Sequence, residues 1–180
     1  MKENYLDRER DSDYIEPIGP MMVVSCRSQM KSLKKNIDTI YERLIQEPGD
    51  IHGRYPHLPY GMLHMLPAEE IEEVNNSKRT KSYNLEQHLN FDSSEIGRDE
   101  YISPIDRPEA FNLLIVDFES GPVILDTTQQ LLDRNMISDR FAERKGEWIE
   151  DNLLSTESFF ESLVSCFDER YSLVSDYMRS

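Results

Sequence analysis

The carboxylates with the clearest chance of doing chemistry flank a predicted strand hairpin in the second half of the chain. Asp117, Glu119 and Asp126 border two apolar runs, so a hairpin would gather them at one end of a sheet. Oxygen ligands grouped in this way could hold a divalent cation, as in metal-dependent nucleases. The lysine that such nucleases place two residues after an acidic residue is missing, because Glu119 is followed by Ser120 and Gly121. A cation-dependent enzyme is therefore the weaker alternative.

The histidines and cysteines are not spaced like metal ligands. His52, His57 and His64 match no HExxH or paired zinc pattern, and no cysteine is near them. We expect these histidines in loop or packing roles. Cys26 and Cys166 are far apart and lack CxxC spacing, which predicts two buried, reduced thiols rather than a disulfide or a metal site.

The sequence also lacks the loops that bind phosphates or activate a serine. With seven glycines it has no GxGxxG, no GxxxxGK and no GxSxG segment. These motifs need glycine for a sharp turn or for close approach of the backbone to a ligand. We therefore expect no catalytic residues, no cofactor and no enzymatic activity.

The net charge limits the kinds of partner that the chain is expected to bind. The chain has 35 acidic and 20 basic residues, which gives a net charge of −15. Such a surface repels nucleic-acid phosphates, so we expect no nucleic-acid binding. It suits a basic protein, because opposite fields steer encounter. The alternative is that the charge serves solubility alone.

The N-terminal sequence and the hydropathy indicate a cytoplasmic protein. The first residues, MKENYLDRERDSDY, are charged where a signal peptide would carry an apolar run. No window approaches the 18 or more apolar residues that a membrane span needs. Residues 1–15 have too few apolar groups to offset the entropy of ordering, so we predict a mobile arm followed by a single domain over 16–180.

The sequence of the first half of that domain predicts a strand and two helices. Met22 to Cys26 follow Gly19-Pro20 and read as a short strand. Apolar residues then recur at helical spacing, and Pro48 should end the helix; they are Met30, Leu33, Ile37, Ile40, Tyr41 and Leu44. A second, short helix is predicted to begin at Pro67. Residues 75–84 and 90–100 are polar and turn-rich, which predicts loops.

The second half predicts strands and a closing helix. EYISPI, AFNLLIVDF and PVILDTT read as strands, the latter two as an antiparallel pair whose first member is apolar on both faces. A charged, partly helical connector follows. Ser155 or Thr156 can cap the last helix, with Ser158 and Glu161 as a weaker capping box. The predicted buried face of this helix consists of Phe160, Leu163, Val164 and Phe167. These residues belong to an apolar stripe that continues to Tyr171 and Val174.

Together these elements predict an α+β fold with a central antiparallel or mixed sheet flanked by helices. Three short motifs follow one another as a helix start, a strand pair and a closing helix: Leu66, Glu70 and Ile71; Gly121, Val123 and Asp126; and Ser158, Phe159 and Leu163. In this order they resemble the SUKH superfamily, the fold of Smi/Knr-type proteins and of the Syd protein. The resemblance extends from Ile51 onward.

The chain departs from that family in its first half. The family's LP-x-x-Y segment and Asn-Gly turn are replaced by HLPYGMLHML, and the first 50 residues have no clear counterpart. The resemblance implies a binding module without cofactor, most often an immunity protein that neutralises a toxin domain. Many such toxins are nucleases with basic clefts, which an acidic surface can fill.

Two acidic runs, AEEIEE and EWIED, are the candidates for a partner-binding surface, although either could be a solvated helix face. Their acidic members are Glu69, Glu70, Glu72, Glu73, Glu147, Glu150 and Asp151. The alternative function is a small acidic adaptor or secretion chaperone, which would hold a partner chain on exposed apolar surface. Such chaperones usually pair, whereas the sequence leaves the oligomeric state open.

Overall fold

The computed structural model describes residues 20–33, 37–74, 77–81, 83–95, 106–119 and 121–171. The predicted arm over residues 1–15 and the predicted strand EYISPI lie outside these ranges.

The described residues form six strands and five α-helices. In chain order they are β1 (Val23–Ser28), α1 (Ile37–His52), β2 (Tyr60–Pro67), β3 (Glu70–Val74), β4 (Ser77–Lys81), α2 (Leu85–Glu95), β5 (Ala110–Asp117), β6 (Val123–Leu125), α3 (Thr128–Asp133), α4 (Asp139–Ile149) and α5 (Thr156–Arg170). A π-helical turn, Glu150–Leu154, joins α4 to α5.

The central sheet has four strands in the order β1-β2-β5-β6. β1, β2 and β5 are parallel, and β6 returns antiparallel to β5. β3 and β4 form a separate antiparallel pair. The predicted α+β class is therefore confirmed, with a mixed sheet. Within the central sheet the parallel neighbours need crossover connections, and only β5 and β6 are joined by a tight turn.

One face of the sheet supplies most of the core. Alternate residues of β2 and β5 point to this face and pack with residues of α2, α3, α4 and the π-helical turn. The strand members of this cluster are Tyr60, Met62, Leu66, Phe111, Leu113, Ile115 and Leu125. Burial of this apolar surface is the main force that holds the helices on the sheet.

α5 covers the opposite face. Phe159 and Leu163 are buried there against Ala110 of β5. The helix lies so close to β2 that a Cβ atom on Gly61 would be 2.6 Å from Leu163 Cδ1 and 2.7 Å from Phe159 Cζ. A glycine at this position is thus what permits the close approach of α5.

Several predicted elements are confirmed. β5 is buried on both faces, as its continuous apolar run predicts. The turn between β5 and β6 contains Gly121, whose φ of 103° lies in the region that glycine favours. Ser155 caps α5, and its Oγ accepts a hydrogen bond from Ser158 N at 3.1 Å. The alternative box of Ser158 and Glu161 is not the cap.

The helix predicted to begin at Pro67 is wrong. Pro67 is the last residue of β2, and the chain re-enters a strand at Glu70. Strand pairing with β1 and β5 overrides the helix-start signal, since it satisfies the backbone of β2 on both sides. The predicted loops are also partly wrong, because β4 lies within 75–84 and α2 continues to Glu95.

The predicted bounds of the first helix are wrong as well. α1 begins at Ile37, after Met30 and Leu33, and it runs past Pro48 to His52. Proline in a helix interior costs about 3 kcal/mol. Packing of the last turn offsets this cost, because Pro48 and His52 are buried and Ile51 contacts the main core.

The predicted buried face of α5 is partly wrong. Leu163 is fully buried and Phe167 is half-buried, but Phe160 and Val164 are 46% and 47% exposed. Phe159 takes the buried position instead. The prediction of two buried thiols is also wrong, since Cys26 is exposed and Cys166 is half-buried.

Candidate functional site

A buried charge network ties the ends of four elements, α1, β2, β5 and α5, together. Glu109, fully buried just before β5, accepts hydrogen bonds from Arg170 NH1 at 2.7 Å, Tyr60 N at 2.9 Å and, across 3.1 Å, contacts His52 Nε2. Burial opposes ionisation of Glu109, but the hydrogen bonds from His52, Arg170 and Tyr60 hold its pKa below the usual value. The network holds the end of α5 on the sheet and is too enclosed to meet a partner.

A polar crevice lies where β2 and β5 end. Its walls come from the residues that follow these strands, from the turn after α3, and from Tyr83, and it encloses about 680 Å³. We call it the strand-end crevice and define it by Ala68, Glu69, Tyr83, Asp117, Glu119, Arg134, Asn135 and Met136. Ligands of open α/β sheets commonly bind outside the carboxyl ends of the strands, which makes this position relevant.

The carboxylate of Asp117 in this crevice is already engaged. It accepts hydrogen bonds from Glu119 N at 2.9 Å and from Arg134 NH2 at 2.7 Å. These two contacts, the backbone amide first, hold the pKa of Asp117 below its ordinary value. Asp117 is thus ionised and paired, as a structural anion rather than an acid or base.

The cation site considered for Asp117, Glu119 and Asp126 is not assembled. Among the described residues, no three histidine, cysteine, aspartate or glutamate side chains come together in a way that could hold a metal ion. Asp126 lies on the α3 side, where its backbone N donates to Gln130 Oε1 at 2.9 Å.

The acidic runs named from the sequence are divided by the fold. Glu70 is buried, and its carboxylate accepts hydrogen bonds from the backbone N–H groups of Ser32 and Leu33. Glu150 is half-buried and accepts hydrogen bonds from both the backbone N and the hydroxyl of Thr128. These two carboxylates secure neighbouring segments of the fold and are poorly placed to contact a partner.

The strand register places the next two acidic residues opposite basic ones. Glu72 is aligned with Arg79 and Glu73 with Lys78 across the β3–β4 pair. Opposite charges at facing positions stabilise an antiparallel pair by about 0.2 to 1 kcal/mol. The register therefore sets acidic and basic residues at facing positions of this hairpin.

Glu69, Glu147 and Asp151 remain fully available at the surface. Glu69 is exposed at the strand-end crevice, and Glu147 and Asp151 are exposed at the end of α4 and in the π-helical turn. Trp148, between the latter two, is 41% exposed. The exposure of this tryptophan beside carboxylates was not predicted from the sequence.

The outer side of α5 repeats this mixture of charge and apolar surface. Glu157, Phe160, Glu161 and Val164 are all exposed, and their spacing of i, i+3, i+4 and i+7 places them on one helix face. We call these four residues the acidic–apolar surface. The signal for it was present in the sequence, because α5 is apolar at 159 and 163 as well as at 160 and 164. That is more than one buried face requires.

Of the three histidines expected in loop or packing roles, His52 and His64 are buried, whereas His57 is exposed in the turn before β2. His64 lies in the middle of β2 and is buried, with its ring edge-on to Phe111. Burial lowers the pKa of His64 to about 4, and likewise that of His88 in α2. Both imidazoles are therefore neutral at pH 7.

No helix within the described ranges is long and apolar enough to cross a membrane. Comparison of the chain with protein-family models, with curated proteins and with solved structures found no match. The function is therefore argued from the residues of this chain.

Proposed function

We propose that this chain is a non-enzymatic, cytoplasmic binding protein that holds a basic protein domain, of the toxin type, against its acidic–apolar surface. It would act as an immunity protein, in line with the resemblance to the SUKH superfamily. The observation that supports this proposal best is the outer face of α5. Phe160 and Val164 stay about half exposed there, between Glu157 and Glu161.

This arrangement fits what stabilises protein interfaces. An aromatic residue such as Phe160 is typical of the few positions that supply most of the binding energy, because it buries a large area on association. Carboxylates at the rim of such a patch attract a basic partner and orient it. The chain's net charge of −15 acts in the same direction at longer range.

None of the seven acidic residues first considered lies on the outer face of α5. Glu70 and Glu150 have carboxylates that bind backbone N–H groups within the chain. Glu69 lies at the strand-end crevice and forms a second, smaller acidic area. The partner is therefore expected to contact α5 before it contacts the β2–β3 turn.

Co-purification with the product of a neighbouring gene tests the proposal. The tagged chain should retain that product and protect cells in which it is toxic. The double variant Glu157→Lys/Glu161→Lys should lose both effects. Glu42→Lys, which changes an exposed residue of α1, should keep both. Retention of binding and protection by the double variant would move the site elsewhere.

One observation favours the second candidate, an adaptor or secretion chaperone. Large apolar side chains are also exposed around the β5–β6 turn, where Phe118, Val123 and Ile124 are each nearly half exposed. Chaperones that hold extended chains expose such surface and usually pair. Sedimentation at micromolar concentration distinguishes the candidates, since a stable dimer would favour the chaperone and a monomer the immunity protein.

A further inference from the structure

The outer edge of the central sheet at β1 has no strand beside it within the described ranges. Val23 N donates to Pro59 O at 3.0 Å and Gln29 N to Met65 O at 2.9 Å, so alternate residues of β1 bond to β2. In a parallel ladder the backbone groups of the residues between them point the other way. Those of Val24, Cys26 and Ser28 therefore face outward, and no strand within the described ranges pairs with them. An unpaired edge is a template for another strand.

A basic groove runs beside this edge, beneath α1. We call it the β1 groove and define it by Arg27, Arg43, Glu47, Asp50, Arg54 and His64. The part next to His64 is partly open to solvent. Three guanidinium groups face two carboxylates here, so the groove carries positive charge in a chain whose net charge is −15.

Two of the three arginines have no carboxylate of their own. Arg27 is paired with Glu47, which also accepts a hydrogen bond from Ser25 Oγ at 2.7 Å. Arg43 and Arg54 are exposed and make no ion pair with any part of the chain that the structure describes. Guanidinium groups form their strongest hydrogen bonds with carboxylates and phosphates, so the groove is suited to an anionic ligand.

A buried histidine opens onto the same groove. His64 is 4% exposed and lines the groove beside Arg27 and Arg43. Its ring contacts Phe111, and no described residue makes a hydrogen bond to its nitrogens. Because the imidazole nitrogens are not fully enclosed by protein, a ligand in the groove can reach them.

We propose that the β1 groove binds an extended, acidic segment of a partner protein, which adds as a strand to the free edge of β1. The backbone of the segment bonds to Val24, Cys26 and Ser28. Its acidic side chains on the α1 side bind Arg43 and Arg54. This site is separate from the acidic–apolar surface and does not depend on the function proposed for it.

Two other occupants fit the groove less well. A free phosphate would bind the arginines but could not satisfy both the N–H and the C=O groups of the strand edge. A second copy paired through β1 would bring Arg27 and Arg43 of the two copies close together, and facing like charges destabilise a strand pair. An extended acidic segment satisfies both the edge and the charges.

Fluorescence anisotropy with a labelled nonapeptide of alternating threonine and glutamate tests the proposal on the full chain. We expect saturable binding that Arg43→Glu and Arg54→Glu each weaken about tenfold or more, the size expected from one charge-assisted hydrogen bond. Arg140→Glu, the same charge change at an exposed site on α4, should bind as the unchanged chain does. Circular dichroism checks that all three variants are folded.

A second peptide separates strand addition from simple charge attraction. N-methylation of alternate residues removes the backbone donors that a strand needs, and it should weaken binding about tenfold. The bound peptide should also slow alkylation of Cys26, which is exposed on β1, more than that of Cys166. Equal binding of the N-methylated peptide, or of a threonine–lysine peptide, would overturn the proposal. Absence of binding, or dimerisation of the chain through this edge, would also overturn it.

Discussion

Leu163 Cδ1 lies where it would be only 2.6 Å from a Cβ atom on Gly61. α5 therefore packs directly on the backbone of β2, and the inner side of this helix has no room for a larger residue in the strand. The same contact turns Phe160 and Val164 outward. The buried side of α5 thus determines which residues its outer side presents to a partner.

Gly61→Ala should lower the free energy of unfolding by about 1 to 3 kcal/mol, as overpacking a core does. Gly49→Ala is the matched control, because the nearest atoms to a Cβ there would be those of Asp106, at 3.9 Å. In a helix interior that exchange should be neutral or stabilise by up to about 1 kcal/mol. Chemical denaturation measures both, and equal stability of the two variants would contradict the close packing.

Two neighbouring phenylalanines should respond very differently to truncation. Phe159 is 3% exposed, so Phe159→Ala should cost about 3 to 5 kcal/mol. Phe160 is 46% exposed and keeps mainly an edge contact with the ring of Phe159, so Phe160→Ala should cost less than about 1.5 kcal/mol. Denaturation curves of the two variants provide the comparison. Similar costs would mean that Phe160 is part of the core.

Helical spacing identified α5 and its cap but assigned Phe160 and Val164 to the core. A stripe at i, i+3 and i+4 shows that a helix has an apolar face, but α5 has two such faces and the sequence does not say which one meets the sheet. The decisive feature is Gly61, more than 90 residues away in sequence, against which Phe159 and Leu163 fit.

Local sequence signals also gave a wrong prediction where strand pairing determined the structure. Pro67 followed by acidic residues is a good helix start in isolation. β2 nevertheless takes this segment, because β1 and β5 pair with it on both sides. β5, in contrast, was predictable, since a continuous apolar run bounded by turn residues has few other uses. The burial of Glu70 could not be read from the sequence, because its partners are backbone N–H groups 37 and 38 residues away.

Two arginine–carboxylate pairs should contribute very different amounts to the free energy of unfolding. Arg170 and Glu109 are buried, whereas Arg134 and Asp117 are at the surface. Arg170→Ala leaves a buried carboxylate with one charge partner fewer and should cost about 3 to 5 kcal/mol. Arg134→Ala should cost about 1 kcal/mol or less. Thermal or chemical denaturation decides this, and a mild Arg170→Ala would mean that solvent reaches Glu109.

Stability should fall between pH 7 and pH 5. The pKa values of His64 and His88 are lowered by burial to about 4 in the folded chain, so the unfolded chain binds more protons below about pH 6.5. Each histidine therefore removes up to about 1.4 kcal/mol per pH unit as the pH falls from 6.5 towards 4. Glu109, with its lowered pKa, adds to the loss only at still lower pH.

Urea denaturation at pH 7 and pH 5 measures this loss. His64→Gln cannot be protonated at that position and should show a smaller difference between the two pH values. His57→Gln changes an exposed residue and should keep the full difference. Equal stability of the unchanged chain at both pH values would show that the two buried imidazoles are accessible to protons.

The central claim is that a basic partner binds the acidic–apolar surface, and its most direct test is the dissociation constant of the co-purified partner measured by calorimetry. Phe160→Ala should weaken binding by about 2 kcal/mol or more, as expected for an interface aromatic, while leaving the fold intact. Glu157→Lys/Glu161→Lys should slow association and remove most of its salt dependence. If both variants bind as the unchanged chain and Glu42→Lys do, the acidic–apolar surface is not the binding site.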